Sequence, residues 1–258
     1  MAAEKPEIVL TDMHPAPLEL SRTALFLDLD GTLAHFEPKP TDVGPNLYRN
    51  DLLRRLCERL DGRLAVVSGR AMADLDRILE DCTPCLAGTH GLEFRHGGET
   101  RMAEAHPSLA DAIEAFDAFA QTQKGLLVEP KALGVALHYR LAPETREACL
   151  DLAERVGATY GLKVQDGHLV VELRTPGATK GDAVAAFMAR SPFLGATPVF
   201  VGDDLTDEDG FREAVDQGGF GILVGEIRPT RASFGLSGPD AVLRWLEDSL
   251  QDRQGAAA

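Results

Sequence analysis

The chain has 258 residues, 44% hydrophobic and 26% charged, enough for one large domain or two modest ones with an ample core. Its formal net charge is −15 with no Lys/Arg cluster to offset it, which excludes nucleic acid and anionic membranes as partners. No signal-peptide pattern and no apolar run of about 18 residues occurs, so a cytoplasmic protein without a membrane span is expected. Cys82 and Cys85 have the Cys-x-x-Cys spacing but lack the strand-before, helix-after context that lowers a thiol pKa, and no second pair completes a zinc site. They are read as packing residues, as are Cys57 and Cys149.

Residues 1–21 carry three prolines and little periodicity and are expected to form an extended lead-in. Ala24-Leu-Phe-Leu27 then runs into Asp28-Leu-Asp30-Gly31-Thr32. This short apolar run without helical period reads as a buried strand of a parallel sheet. A Pro-rich loop (Pro38, Pro40, Pro45) leads to a helix over 46–60, with Leu52, Leu53, Leu56, Cys57 and Leu60 on one face. Asp61-Gly62 ends it. Leu64–Val67 is a second strand followed by Ser68-Gly69-Arg70, a helix with Met72, Leu75, Ile78 and Leu79 inward, and a third strand at Cys85–Gly88. That βαβαβ alternation predicts right-handed crossovers in a parallel sheet.

From about Ala105 to Thr175 the rhythm becomes helix, strand, strand, helix, strand, strand. Helices fit 108–122 and 143–159, and strands fit 126–129, 135–140, 162–165 and 169–173, with Asp166-Gly167 as a hairpin turn. The α/β rhythm returns with a helix from Thr179, strands at 198–201 and 220–224, and a last helix over 239–250; Gln254–Ala258 is expected to fray. The fold class is therefore α/β, a doubly wound parallel-sheet core formed by 1–104 and 176–258. An α+β cap domain, 105–175, is inserted into it.

Parallel strands end on one edge, so four clusters converge there: Asp28/Asp30, Ser68-Gly69, Lys180 and Gly202-Asp203-Asp204-Leu-Thr-Asp207-Glu-Asp209. An isolated Asp-x-Asp needs no more than a strand end and a turn cap; this pair has company. Five carboxylates in seven residues after a buried strand repel one another and call for a cation. Helix-dipole stabilisation suffices for Glu208 and Asp209, but not for Asp203 and Asp204 at the strand end itself. Mg²⁺ takes such oxygen ligands together with a substrate phosphate. Ser68, with the backbone N–H groups of the following helix, and Lys180 supply an anion site. The combination points to phosphoryl transfer.

In order, these four clusters resemble the motifs of the haloacid dehalogenase (HAD) phosphatase superfamily, with a C2-type cap between the second and third. Gly88-Thr-His-Gly-Leu-Glu93, Glu129-Pro-Lys131, Leu137-His-Tyr-Arg140, Val171-Glu-Leu-Arg-Thr-Pro-Gly177 and Gly202–Asp209 further resemble the trehalose-6-phosphate phosphatases. The resemblance runs from Ala24 to Leu246. It implies Mg²⁺-dependent hydrolysis of trehalose 6-phosphate in trehalose biosynthesis, through an aspartyl-phosphate on Asp28. Asp30 would then be acid and base. The metal would be held by Asp28, the Asp30 carbonyl and Asp203, with Asp204 or Asp207 orienting metal-bound water. Ser68, Gly69 and Lys180 would hold the phosphate. Glu129, Lys131 and Glu172, with His90 and Glu93, would read the sugar in a cap that opens and closes. His138 and Arg140 could equally stabilise the cap sheet. The expected partner is a small sugar phosphate and the expected state a monomer. Phosphatases for another sugar or for glycerate phosphate, and a sugar-phosphate sensor without turnover, remain as alternatives; an intact Asp28/Asp30 pair argues against the sensor.

Overall fold

The computed structural model describes residues 8–9, 14–37, 39–167 and 169–251. It divides into two compact units, one formed by residues up to 102 and from 178 onward, the other by 103–177. Most of the predicted lead-in and the 254–258 tail lie outside the described residues.

The first unit opens with β1 (Ile8–Val9), β2 (Thr23–Leu27), α1 (Leu47–Arg59), β3 (Leu64–Val67), α2 (Met72–Leu79) and β4 (Cys85–Gly88), followed by β5 (Glu93–His96) and β6 (Glu99–Met102). The second unit holds α3 (Leu109–Ala120), β7 (Leu127–Lys131), β8 (Gly134–His138), α4 (Arg146–Tyr160), β9 (Lys163–Gly167) and β10 (Val170–Arg174). The first resumes with α5 (Lys180–Met188), β11 (Thr197–Gly202), α6 (Asp207–Asp216), β12 (Phe220–Val224), β13 (Pro229–Thr230), β14 (Phe234–Leu236) and α7 (Pro239–Gln251).

An eight-stranded sheet in the order β14-β12-β11-β2-β3-β4-β5-β6 organises the first unit. β14 through β4 are parallel, and β5 and β6 extend the edge antiparallel. The buried strands feed two cores from alternate residues. Leu25 and Leu27 of β2 point to a cluster with Leu52, Leu56, Leu75 and Trp245; Ala24 and Phe26 point to one with Phe187, Phe193, Phe200 and Phe211. Each fully buried Leu or Phe among them contributes about 1.5–3 kcal/mol of hydrophobic stabilisation. α1 starts where the Asn46 side chain accepts the Arg49 N–H at 2.9 Å, and it stops where Asp61 and Gly62 adopt positive φ. The end of the lead-in is strapped to α7: Trp245 Nε1 donates to the Ala16 carbonyl and Leu18 N to Ser249 Oγ, both at 3.0 Å.

Three strands of this sheet go beyond the sequence expectation. β5 and β6 form a hairpin across Gly97-Gly98, both at positive φ, a two-residue turn signal present in the sequence. β14 has only three residues, too few for any periodicity to show. The thiols behave as packing groups: all four are free, and burial raises Cys82 to about 11 and Cys85 to about 12. Among the described residues no helix is long and apolar enough to cross a membrane.

The second unit is an antiparallel sheet, β7-β8-β10-β9, with α3 and α4 over one face. Val135, Leu137, Tyr139, Val171 and Leu173 meet Phe116, Cys149 and Val156 in a core of its own. The expected turn at Asp166-Gly167 is corrected: both residues still belong to β9, and Gly167 pairs with Val170. Leu169 takes positive φ, which the Asp-Gly signal before it did not foretell.

Candidate active site

Asp28 follows the last residue of β2, and its N–H continues the ladder to the Val201 carbonyl of β11 at 2.9 Å. Asp203 follows β11, and Lys180 opens α5, whose capping box between Thr179 and Asp182 fixes its first turn. The sheet topology therefore brings residues from three distant segments to one strand-end edge. Lys180 Nζ donates to Asp28 Oδ2 at 2.7 Å and to Asp207 Oδ1 at 2.6 Å. Asp28 Oδ1 accepts the Leu29 N–H, and Asp207 Oδ2 accepts the N–H groups of Asp203 and Asp204. Thr32 Oγ1 donates to Asp203 Oδ1 at 3.1 Å.

Two glycines make this proximity possible. Gly31 lies at φ +75°, and a Cβ there would come within 2.2 Å of Asp203 Oδ2. A Cβ on Gly202 would come within 2.3 Å of Asp207 Cγ.

The electrostatics follow from burial. Asp28, Lys180 and Asp207 are almost wholly enclosed. Desolvation raises the Asp28 and Asp207 carboxyls above the usual range while Lys180 opposes it. Burial, then the charge of Asp207, pushes Asp203 up to about 7. Burial would lower Lys180, but Asp207 and Asp28 outweigh it and hold the ammonium above its ordinary value. Three carboxylates against one ammonium leave the cluster net negative when all are ionised. One oxygen from each of Asp28, Asp203 and Asp207 lies within 4.8 Å of the others. That hard, all-oxygen, net-negative donor set fits a divalent cation.

Asp30 is engaged by a side chain from the loop after β3. Arg70 holds it in a bidentate pair, Nε to Oδ2 at 2.6 Å and Nη2 to Oδ1 at 2.7 Å. Arg70 was not assigned a role from the sequence, although it directly follows Ser68-Gly69 at a strand end. Ser68 Oγ accepts the Arg70 N–H at 3.3 Å. α2 begins at Met72, and Glu93 Oε2 takes the Met72 N–H at 3.1 Å. Thr89 Oγ1 occupies Glu93 Oε1 at 2.5 Å, so Glu93 caps a helix and pins a turn. His90, at φ +58°, lays its ring against Gly69, where a Cβ would meet it at 2.7 Å, and its N–H donates to the Ser68 carbonyl.

Asp204 is exposed; its side chain accepts the Leu205 N–H and its carbonyl accepts from Arg228. Glu208 pairs with Arg228, Thr230 and the Arg231 N–H, anchoring the 228–231 segment to α6. In the second unit, Glu129, Lys131 and Glu172 occupy the sheet face opposite its core. Lys131 Nζ donates to Glu172 at 2.9 Å, and His138 Nε2 meets Glu129 at 2.8 Å.

A sequence profile of the trehalose-phosphatase family matches residues 26–240 of this chain. The chain is 40% identical over 236 residues to the trehalose-6-phosphate phosphatase of Escherichia coli K12, covering 89% of this chain and 87% of that protein. A solved trehalose-6-phosphate phosphatase related protein superposes with a TM-score of 0.74 at 25% identity, over 89% of this chain and 98% of that one. A phosphatase of the haloalkanoate (HAD) superfamily from Bacteroides thetaiotaomicron shares the fold, with a TM-score of 0.59 at 15% identity over 90% of this chain and 96% of that one. With the profile spanning both units and the acidic edge carried by a parallel sheet, this chain belongs to the trehalose-phosphatase family.

Proposed function

We propose that the chain hydrolyses trehalose 6-phosphate to trehalose and inorganic phosphate, through an aspartyl-phosphate on Asp28. The observation that carries this reading is the buried Asp28–Lys180–Asp207 chain beside Asp203 at the carboxyl edge of a parallel sheet. A buried lysine bonded to a buried carboxylate both orients it and balances its charge. An Asp28 oxygen attacks phosphorus, forming the acyl phosphate as the bond from phosphorus to the sugar O6 breaks. Asp30 gives its proton to O6 and then takes one from the water that cleaves the acyl phosphate. Because Arg70 grips both Asp30 oxygens, that role requires Asp30 to leave the fork when substrate binds.

Asp28, the Asp30 carbonyl and Asp203 would hold Mg²⁺. When bound, the ion supplies charge neutralisation between the nucleophile and the phosphate. Asp207, enclosed and fully engaged, supports Lys180 and the 203–204 backbone. Ser68, Gly69 and Lys180 hold the non-reacting phosphate oxygens. Residues 105–175 act as the specificity cap, and Glu129, Lys131 and Glu172 read the sugar hydroxyls.

The deciding experiment is phosphate release from a panel of sugar phosphates, with Mg²⁺ and again with EDTA. Metal-dependent release from trehalose 6-phosphate is the expected result. Release only from other sugar or glycerate esters would keep the chemistry and remove the substrate. Binding without any release would overturn the enzyme and leave a sensor.

A further inference from the structure

β8 is an inner strand of the second unit's sheet, and on its polar face it offers Gly134, Ala136 and His138 in succession. Gly134 lies opposite Lys131 and Arg174, and Ala136 lies opposite Glu129 and Glu172. The two small positions leave room for side chains of the flanking strands to reach over β8. The Lys131–Glu172 pair does so, joining β7 to β10 at 2.9 Å. A Cβ on Gly134 would stand 3.2 Å from Glu172 Oε1.

Glu129 faces Ala136 across the strand pair. Its carboxylate instead reaches the diagonal neighbour, His138, whose Nε2–H donates to Oε2 at 2.8 Å. Glu129 and Lys131 share a face of β7 two residues apart, so they are natural partners for each other. A Glu129 collapsed onto Lys131 would merge an acceptor and a donor into one neutral couple. With His138 at one end of β8 and Lys131–Glu172 at the other, the face keeps two separate donor–acceptor couples. A disaccharide carrying hydroxyls on two rings is read by such spaced groups, since each hydroxyl both donates and accepts.

We propose that His138 is a positioning residue for sugar recognition: it holds Glu129 apart from Lys131 and Glu172, so that the face presents two spaced polar couples to a disaccharide phosphate. The proposal rests on the reading of this chain as a trehalose-6-phosphate phosphatase. The pair is partly exposed, 23% for His138 and 47% for Glu129, and such pairs add little to stability. Its consequence therefore falls on geometry.

The test compares wild type, His138→Ala, His138→Gln and Glu129→Gln, with the His138→Ala/Glu129→Gln double variant. Each is assayed on trehalose 6-phosphate and on p-nitrophenyl phosphate, which has no sugar, and each is checked by thermal melt. His138→Ala should raise KM for trehalose 6-phosphate about tenfold with kcat held within about twofold, a loss of uniform binding. His138→Gln, which keeps a donor at a similar reach, should restore KM. The double variant should be no worse than Glu129→Gln alone. An unchanged KM in a folded His138→Ala, an equal loss on the aryl ester, or additive losses in the double variant would overturn the proposal. A wild type that cleaves the aryl ester but not trehalose 6-phosphate would overturn the substrate reading and this proposal with it.

Discussion

Lys180 is held between two buried acids, Asp28 and Asp207, and each of the three needs the others. Removing the ammonium would strand two carboxylates out of water. Lys180→Met should therefore abolish turnover and cost about 3–5 kcal/mol in urea unfolding, whereas Asp28→Asn should abolish turnover while the fold survives. An active, folded Asp28→Asn would refute the nucleophile. Asp203 gives a pH dependence whose sign follows from its direction. Its folded pKa, about 7, lies above the ordinary carboxylate value of about 3.9. The folded chain then binds that proton more tightly than the unfolded chain, so stability falls as pH rises between those values. Without divalent cations the melting temperature should drop from about pH 5 to about pH 8, and added Mg²⁺ should raise it more at the higher pH. A flat or rising profile would sink this account. The acids of this site were legible in the sequence because strand ends aim them. Arg70 was not: which residue a long side chain grips depends on packing of the 68–71 loop, and spacing does not encode it.

At the scale of elements, short turns set the distances that chemistry needs. Gly31 brings the turn after β2 against Asp203, and Gly202 brings the end of β11 against Asp207. Gly31→Ala meets both a positive φ and the Asp203 carboxylate. It should lower kcat by about 100-fold, the scale expected for an ångström of misplacement, with a fold that still melts cooperatively. Glu93 ties a turn to a helix start. It sits in a stretch resembling a sugar phosphatase, yet its carboxylate caps α2 at Met72 and receives Thr89. Glu93→Ala should cost about 1–2 kcal/mol of stability, as lost caps do, and leave KM for trehalose 6-phosphate unchanged. A raised KM at unaltered stability would return Glu93 to the sugar site. The parallel strands were readable because burial on both faces makes continuous apolar runs. The β5–β6 hairpin was not read, because its half-exposed residues, Arg95 and His96 among them, break that pattern.

Among the described residues, each hydrophobic cluster is made within one unit. Two cores serve the eight-stranded sheet, and a third, around Phe116, Tyr139 and Leu173, lies wholly within residues 103–177. Separate cores permit separate melting. The carboxylates that fit a cation all belong to the first unit, and a ligand stabilises only what folds to bind it. Calorimetry should therefore resolve two transitions, and Mg²⁺ should move one upward while the other stays in place. Asp203→Asn should erase the shift and leave both transitions present. A single transition that moves as a whole with the ion would mean that the units unfold together.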